Sequence, residues 1–91
     1  MNIMYFSADW CAPCKATKPI VQEFIKDNTE PKVYIIDADQ ETDLVNKFQV
    51  RSIPTFIFVD GEKELKRHIG SMTKEQFNDF TKYEETVQDD V

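Results

Sequence analysis

The chain has 91 residues, of which 41% are hydrophobic and 31% are charged, and 17 acidic residues against 11 basic ones give a formal net charge of −6. This length supports a single domain, residues 1–91, with one modest core, and the composition excludes a disordered or collagen-like chain. The acidic surplus argues against nucleic-acid binding, and no apolar run is long enough to span a membrane. Because the N-terminus lacks the features of a signal peptide, we expect a cytoplasmic protein.

The first half of the chain predicts a strand, a helix, a second strand and a short helix. Residues 1–6 form a short apolar run that is typical of a buried strand. Apolar residues recur at helical spacing from Ala12 to Asp27, and Pro19 should kink this helix without ending it. The near-continuous apolar run from Lys32 to Asp37 predicts a strand that is covered on both faces. The short helix is indicated by Leu44, Val45 and Phe48.

The second half predicts a β-hairpin. The apolar run from Thr55 to Asp60 again suggests a strand that is covered on both faces. Asp60-Gly61 is a strong hairpin signal, so the following strand, Lys63 to Ile69, should return antiparallel. In that strand we expect three residues on one face and two polar ones on the other, a mixed polarity that suits an edge strand. The first set is Leu65, Arg67 and Ile69, and the second is Lys66 and His68.

A last helix completes the predicted order β-α-β-α-β-β-α. Thr73 and Gln76 fit a capping box at its start. The apolar stripe of this helix should begin at Phe77 and continue through Tyr83 or Glu84 and Val87.

The two cysteines, Cys11 and Cys14, are three residues apart and lie where the first strand turns into the first helix. A helix N-terminus presents unpaired N–H groups and a positive dipole end, both of which stabilise a thiolate. The thiolate is the nucleophile of disulfide exchange. Pro13 should stiffen the turn, and Lys15 adds a nearby positive charge. We therefore expect Cys11 to be the exposed attacking thiol and Cys14 the buried resolving thiol.

Two other interpretations apply to this cysteine spacing. It occurs in ordinary buried cysteine pairs, and it supplies half of many zinc sites. Zinc would need two more ligands, and the chain offers only His68, on a predicted edge strand. We therefore prefer redox chemistry and expect no metal and no bound cofactor.

Several segments together resemble the thioredoxin family. The stretch Trp10-Cys11-Ala12-Pro13-Cys14-Lys15 closely resembles its active-site motif, with Ala12 where most members have glycine. Ser52-Ile53-Pro54-Thr55 is similar to the family's loop that carries a cis-proline opposite the cysteines. Ile69-Gly70 is similar to the pair that completes its substrate groove. Asp39 matches the aspartate that hydrogen-bonds the active-site tryptophan, so the resemblance covers essentially the whole chain.

The resemblance implies a minimal thioredoxin fold. This is an α/β fold in which helices flank a four-stranded mixed sheet of order 2-1-3-4, counting strands from the N-terminus. The Ile53-Pro54 peptide bond should be cis and lie against the cysteines. The family's usual opening strand and helix have no counterpart here, which should leave Lys32 to Asp37 as a sheet edge. We expect the charge of the protein to keep it chiefly monomeric. The implied substrate groove comprises Trp10, Ala12, Pro13, Ser52, Ile53, Pro54, Ile69 and Gly70.

One departure from the family concerns the region beneath the resolving cysteine. Thioredoxins usually bury an aspartate there, with a lysine close to it, and the corresponding positions hold Tyr5 and Ile35. A tyrosine hydroxyl, with an ordinary pKa of about 10, is a poor base at neutral pH. Tyr5 could still donate a hydrogen bond to a forming thiolate if its hydroxyl reaches the Cys14 sulfur. Alternatively, Tyr5 only fills core volume.

The function that the resemblance implies is reduction of disulfides in protein substrates through the Cys11/Cys14 dithiol, with a flavin-dependent thioredoxin reductase as electron donor. Two alternatives stay open. A glutaredoxin-like protein recharged by glutathione is favoured by the short architecture, but Trp10, Ala12-Pro13 and the acidic charge count against it. A binding subunit of a partner enzyme would use the fold and not the thiols.

Overall fold

The computed structural model describes residues 1–82 and contains four strands and three helices. The elements are β1 (Asn2–Ser7), α1 (Ala12–Asp27), β2 (Lys32–Asp37), α2 (Thr42–Lys47), β3 (Thr55–Asp60), β4 (Lys63–Ile69) and α3 (Lys74–Phe80). Their order confirms the predicted β-α-β-α-β-β-α arrangement. The predicted continuation of the last apolar stripe to Tyr83 or Glu84 and Val87 lies outside the described residues. None of the three helices is long and apolar enough to cross a membrane.

The four strands form one mixed sheet of order β2-β1-β3-β4, which confirms the predicted order. The central strand β1 pairs in parallel with β2 and antiparallel with β3, and β3 pairs antiparallel with β4. Helix α1 forms the crossover between the two parallel strands. Gly61, at a φ of +65°, lies in the two-residue turn of the predicted hairpin. The architecture is therefore a minimal thioredoxin fold.

The core lies on both faces of the sheet because β1 and β3 carry apolar side chains in both directions. On one face, residues of both strands pack with Val21 of α1 and Phe77 of α3. On the other face, different residues of the same strands pack with Leu44 and Val45 of α2. The strand residues of the first face are Ile3, Tyr5, Phe56 and Phe58, and those of the second are Met4, Phe6, Ile57 and Val59.

Strand β2 differs from the prediction that both of its faces are covered. Val33 and Ile36 are buried, but Tyr34 and Ile35 are 47% and 39% exposed. The reason is that β2 ends the sheet and has a neighbouring strand on one side only. The expectation of β2 as a sheet edge is confirmed.

Strand β4 is the other edge, as predicted, but its side chains do not alternate strictly. Leu65 packs in the cluster that contains Tyr5, whereas Arg67 pairs with Ile57 of the opposite cluster. The strand register shifts between Phe58 and Val59, which leaves Leu65 as an extra residue. A β-bulge of this kind interrupts the alternation of faces, so the prediction that Leu65 and Arg67 share a face is wrong.

The helix boundaries agree with their sequence signals. Helix α1 runs past Pro19 without interruption, and its C-cap is Asn28, whose main-chain N–H donates to the carbonyl oxygen of Phe24. Helix α3 begins after the predicted capping box, in which Thr73 and Gln76 exchange hydrogen bonds of 3.1 and 2.9 Å. These caps satisfy backbone groups that a helix end leaves unpaired.

Candidate active site

Cys11 and Cys14 form a disulfide at the N-terminus of α1, with their Cα atoms 5.2 Å apart. Cys11 is the N-cap residue, and its sulfur accepts a hydrogen bond of 3.2 Å from the main-chain N–H of Cys14. Pro13 lies in the first turn, where its missing N–H removes no bond within the helix. No acidic residue lies in that turn. The helix end therefore favours negative charge on the Cys11 sulfur, and no neighbouring carboxylate in the turn opposes it.

Both cysteines are buried, at 4% exposure for Cys11 and 2% for Cys14. The expectation of an exposed Cys11 is therefore wrong for the disulfide-bonded protein, whereas the burial of Cys14 is confirmed. Ala8 and Ile53 pack against the pair. These neighbours cover the cysteine pair.

The loop before β3 lies against the cysteines. Its Ile53-Pro54 peptide bond is cis, as predicted, and the carbonyl oxygen of Ile53 is 3.9 Å from the Cys11 sulfur. The carbonyl oxygen of Pro54 accepts a hydrogen bond of 2.8 Å from the main-chain N–H of Gly70. This bond joins the loop to the end of β4. A second cis bond, Glu30-Pro31, was not predicted.

The eight predicted groove residues lie in three segments, and the loop before β3 contacts the other two, since Ile53 packs against the cysteines and the Pro54 carbonyl oxygen accepts from Gly70. Trp10, Ala12 and Pro13 come from the turn into α1, Ser52, Ile53 and Pro54 from the loop before β3, and Ile69 and Gly70 from the end of β4. Two of them are large apolar side chains with high exposure, Trp10 at 69% and Ile69 at 60%. Exposed apolar surface beside a reactive centre is suited to contact with another chain.

Trp10 is held in place by a single side-chain hydrogen bond. Its indole N–H donates to a carboxylate oxygen of Asp39 at 2.8 Å, which confirms the bond that the resemblance implied. Asp39 lies in the turn after β2, where its main-chain N–H donates to the carboxylate of Asp37 at 2.9 Å. The turn thus orients an aromatic ring that is otherwise largely in solvent.

Tyr5 lies beneath the resolving cysteine and is fully buried. Its hydroxyl donates to the main-chain carbonyl oxygen of Cys14 at 2.8 Å, and its ring stacks on Phe56 with centroids 4.8 Å apart. Burial raises the pKa of Tyr5 to about 12, and a hydrogen bond with Ser7 opposes this rise. The phenol is therefore neutral near pH 7, and it bonds to the carbonyl group of Cys14 and not to its sulfur.

Neither Lys15 nor Ile35 places a polar side-chain group at the cysteines. The side chain of Lys15 is exposed and makes no ion pair or hydrogen bond within residues 1–82, although its main-chain N–H donates to the carbonyl oxygen of Cys11 at 3.2 Å. Ile35 points partly into solvent from β2. Neither side chain supplies a polar group to Cys14 in this structure.

A pocket of about 360 Å³ beside the cysteines was not predicted as a unit. We call it the Trp10 pocket. Three of its seven lining residues belong to the predicted groove. Of the other four, one follows β2, one lies in α2 and two lie in the segment after α2. Helical spacing indicated Val45 only as a helix residue, and no motif marks the other three. The lining consists of Trp10, Ala38, Val45, Val50, Arg51, Ser52 and Ile53.

Comparisons with known proteins agree with this geometry. The family model described as Thioredoxin matches residues 1–83. Thioredoxin-2 of Saccharomyces cerevisiae is 36% identical over 69 residues, which are 76% of this chain and 66% of the yeast protein. Thioredoxin of Mycoplasmoides gallisepticum is 32% identical over 80 residues, which are 88% of this chain and 80% of that protein. The chain thus spans 66% and 80% of the length of these two relatives, and 64% of the length of the mitochondrial Thioredoxin-2 of Schizosaccharomyces pombe.

Solved structures show the same similarity. The structure of Fasciola hepatica thioredoxin superposes with a TM-score of 0.80 at 29% identity, covering 88% of this chain and 76% of that one. A mutant thioredoxin from Halobacterium salinarum NRC-1 gives a TM-score of 0.78 at 28% identity, covering 88% of this chain and 70% of that one. With the disulfide at the start of α1 and the cis-proline loop against it, these matches show that the chain belongs to the thioredoxin family.

Proposed function

We propose that the protein is a thioredoxin-type protein-disulfide reductase that works through the Cys11/Cys14 dithiol. The observation that carries this proposal is the disulfide between the two residues at the N-terminus of α1, in a first turn without acidic residues. Membership of the thioredoxin family supports thiol–disulfide oxidoreductase chemistry at this pair.

The proposed reaction begins with the reduced protein. The Cys11 thiolate attacks one sulfur of a substrate disulfide, which forms a mixed disulfide and releases the other substrate sulfur as a thiolate. Cys14 then loses its proton and attacks the Cys11 sulfur. The second substrate sulfur leaves as a thiolate, and both substrate sulfurs acquire protons. The substrate disulfide is thereby reduced by two electrons, and the Cys11/Cys14 dithiol is oxidised to a disulfide.

The proton of Cys14 goes to water or to the departing substrate thiolate. Tyr5 is excluded as the base because its hydroxyl already donates to the Cys14 carbonyl group and its pKa is about 12. This hydroxyl instead positions the Cys14 main chain. We therefore expect resolution to accelerate as Cys14 itself ionises, without a separate carboxylate step.

The groove residues would hold the substrate chain on either side of the reacting sulfur. Trp10 and Ile69 offer exposed apolar surface, and Ala12, Pro13 and Gly70 leave the approach open. In this proposal, main-chain groups beside Pro54 pair with an extended substrate, as a short added strand would.

Return to the dithiol needs two electrons from a separate donor. We propose a flavin-dependent thioredoxin reductase as this donor. The decisive measurement is insulin reduction by the purified protein, with thioredoxin reductase and NADPH in one series and glutathione with its reductase in another. Turnover only in the first series is the expected result, and turnover only with glutathione would favour a glutaredoxin-like protein.

Cysteine variants separate a reductase from a binding subunit. The Cys11→Ser and Cys14→Ser variants, singly and together, should lose insulin reduction, and a Cys14→Ser protein should accumulate mixed disulfides through Cys11. A double variant that retains the protein's full biological activity would mean that the fold acts as a binding subunit.

A further inference from the structure

The Trp10 pocket has an apolar lining with a single charged side chain. Ala38, Val45, Val50 and Ile53 contribute the aliphatic part, and Arg51 is the only charged residue of the lining. The pocket is joined to the redox centre through Ile53, which packs against the cysteines and whose carbonyl oxygen is 3.9 Å from the Cys11 sulfur. A substrate bound at Cys11 would therefore have neighbouring residues within reach of this pocket.

The guanidinium group of Arg51 has no carboxylate partner within residues 1–82. The other arginine, Arg67, differs in this respect, since it bonds to both oxygens of Glu64 and to the carbonyl oxygen of Phe48. Asp39, which directly follows the lining residue Ala38, accepts the bond from Trp10 and is not part of the lining. The remaining ion pairs in this part of the chain are Lys47–Glu62 and Lys74–Glu23.

We propose that the Trp10 pocket selects substrate segments in which an apolar side chain stands next to a carboxylate. The apolar side chain enters the aliphatic part of the pocket, and the carboxylate pairs with Arg51. This inference rests on the proposed reductase function and names its substrate class. A guanidinium group suits this role because its planar donors match the two oxygens of a carboxylate.

The overall charge of −6 does not prevent this local preference. Charges more than about 10 Å apart are largely screened at 0.1 M ionic strength, whereas a contact pair at the rim of a pocket keeps part of its attraction. The net charge thus weakens the first approach of an acidic partner, and Arg51 determines which neighbouring residue is preferred once the substrate sulfur has reached Cys11.

The test uses symmetric disulfides of short peptides and the Cys14→Ser protein, in which the reaction stops at the mixed disulfide. Cys11 displaces one peptide as its thiol and keeps the other, and mass spectrometry measures the rate. The peptides carry Leu-Glu, Leu-Gln, Leu-Lys or Gly-Glu beside the cysteine, before it in one series and after it in another. Arg51→Gln and Arg51→Glu are compared with Lys26→Glu, an exposed position in the last turn of α1.

We expect the Leu-Glu peptide to react about two- to fivefold faster than the Leu-Lys peptide at low salt, the size of an exposed ion pair. In Arg51→Gln the two peptides should react at about equal rates, and in Arg51→Glu the Leu-Lys peptide should react faster. Lys26→Glu, with the same change in net charge as Arg51→Glu, should keep the wild-type order. High salt should reduce the ratio, and the Leu-Glu peptide should react faster than the Gly-Glu peptide.

Different failures have different meanings. An unchanged ratio in Arg51→Glu, or an equal change in Lys26→Glu, would overturn the role of Arg51. Equal rates for the Leu-Glu and Gly-Glu peptides would overturn the role of the aliphatic lining. Absence of a mixed disulfide with every peptide would instead refute the reductase function itself. Circular dichroism and unfolding midpoints of each variant establish that a changed rate does not come from a misfolded protein.

Discussion

The hydroxyl of Tyr5 donates a 2.8 Å hydrogen bond to the main-chain carbonyl oxygen of Cys14. This bond joins the central strand of the sheet to the first turn of the redox helix, inside a fully buried site. The family usually has an aspartate at this position, which can exchange protons. Here the buried polar group stays protonated near neutral pH and acts on the backbone of the resolving cysteine.

Tyr5→Phe should lower the free energy of unfolding by about 1–3 kcal/mol at pH 7, since it keeps the ring but leaves the buried Cys14 carbonyl oxygen and Ser7 without the hydroxyl that they bond to. The pH dependence of mixed-disulfide resolution should not change, because the wild-type phenol does not titrate in that range. Chemical denaturation and stopped-flow resolution kinetics measure the two quantities. A shifted resolution profile would show that the hydroxyl takes part in proton transfer.

The pKa of Tyr5 also predicts a loss of stability in alkali. An unfolded tyrosine releases its proton near pH 10, whereas folded Tyr5 keeps it to about pH 12. The contribution of this group is therefore full below pH 10 and is lost as the pH rises to about 12. Tyr5→Phe should lose less stability over this range than wild type. Tyr34→Phe, at a half-exposed position, should behave like wild type.

In the reduced protein, Cys11 should react with iodoacetamide before Cys14 at slightly acidic pH. The two sulfurs are buried to a similar extent, but Cys11 is the N-cap residue and its sulfur accepts a hydrogen bond from the main-chain N–H of Cys14, so the helix end stabilises the Cys11 thiolate. Peptide mapping after brief alkylation at several pH values identifies the labelled residue. Preferential labelling of Cys14 would reverse the assignment of nucleophile and resolving thiol.

Asp39→Ala should increase the mobility of Trp10, the single tryptophan of the chain. The fluorescence anisotropy of the indole should fall while the unfolding midpoint changes little, because the bond lies at the surface. Asp39→Asn should restore much of the anisotropy, since its amide oxygen can accept the same hydrogen bond. An unchanged anisotropy in Asp39→Ala would mean that other contacts hold the ring.

Although β2 is an exposed sheet edge, we expect the protein to be monomeric at micromolar concentration, as judged by light scattering. Lys32 at one end of the strand and the net charge of −6 oppose edge-to-edge pairing. Ile35→Lys should keep the stability of wild type and reduce any association at millimolar concentration. A stable wild-type dimer at micromolar concentration would refute this prediction.

The sequence by itself determined the elements and the position of the cysteine pair at the start of α1. Apolar periodicity, the Asp60-Gly61 turn and the Thr73 capping box are local signals, and each corresponds to an element boundary in the structure. The resemblance carried by the Cys11 and Pro54 motifs then predicted the sheet order and the position of the cis-proline loop against the cysteines.

Only the tertiary structure decided how these elements cover one another. Tyr34 and Ile35 are exposed because β2 lies at the sheet edge, although the segment Lys32–Asp37 is as apolar as a buried strand. Packing with Ala8 and Ile53 buries Cys11, and the path of β1 beneath α1 brings the Tyr5 hydroxyl to a carbonyl group and not to a sulfur. The convergence of Val45 and Arg51 on the Trp10 pocket likewise depends on the packing of α2 and its following segment. These are contacts between residues distant along the chain, and local periodicity carries no information about such distances.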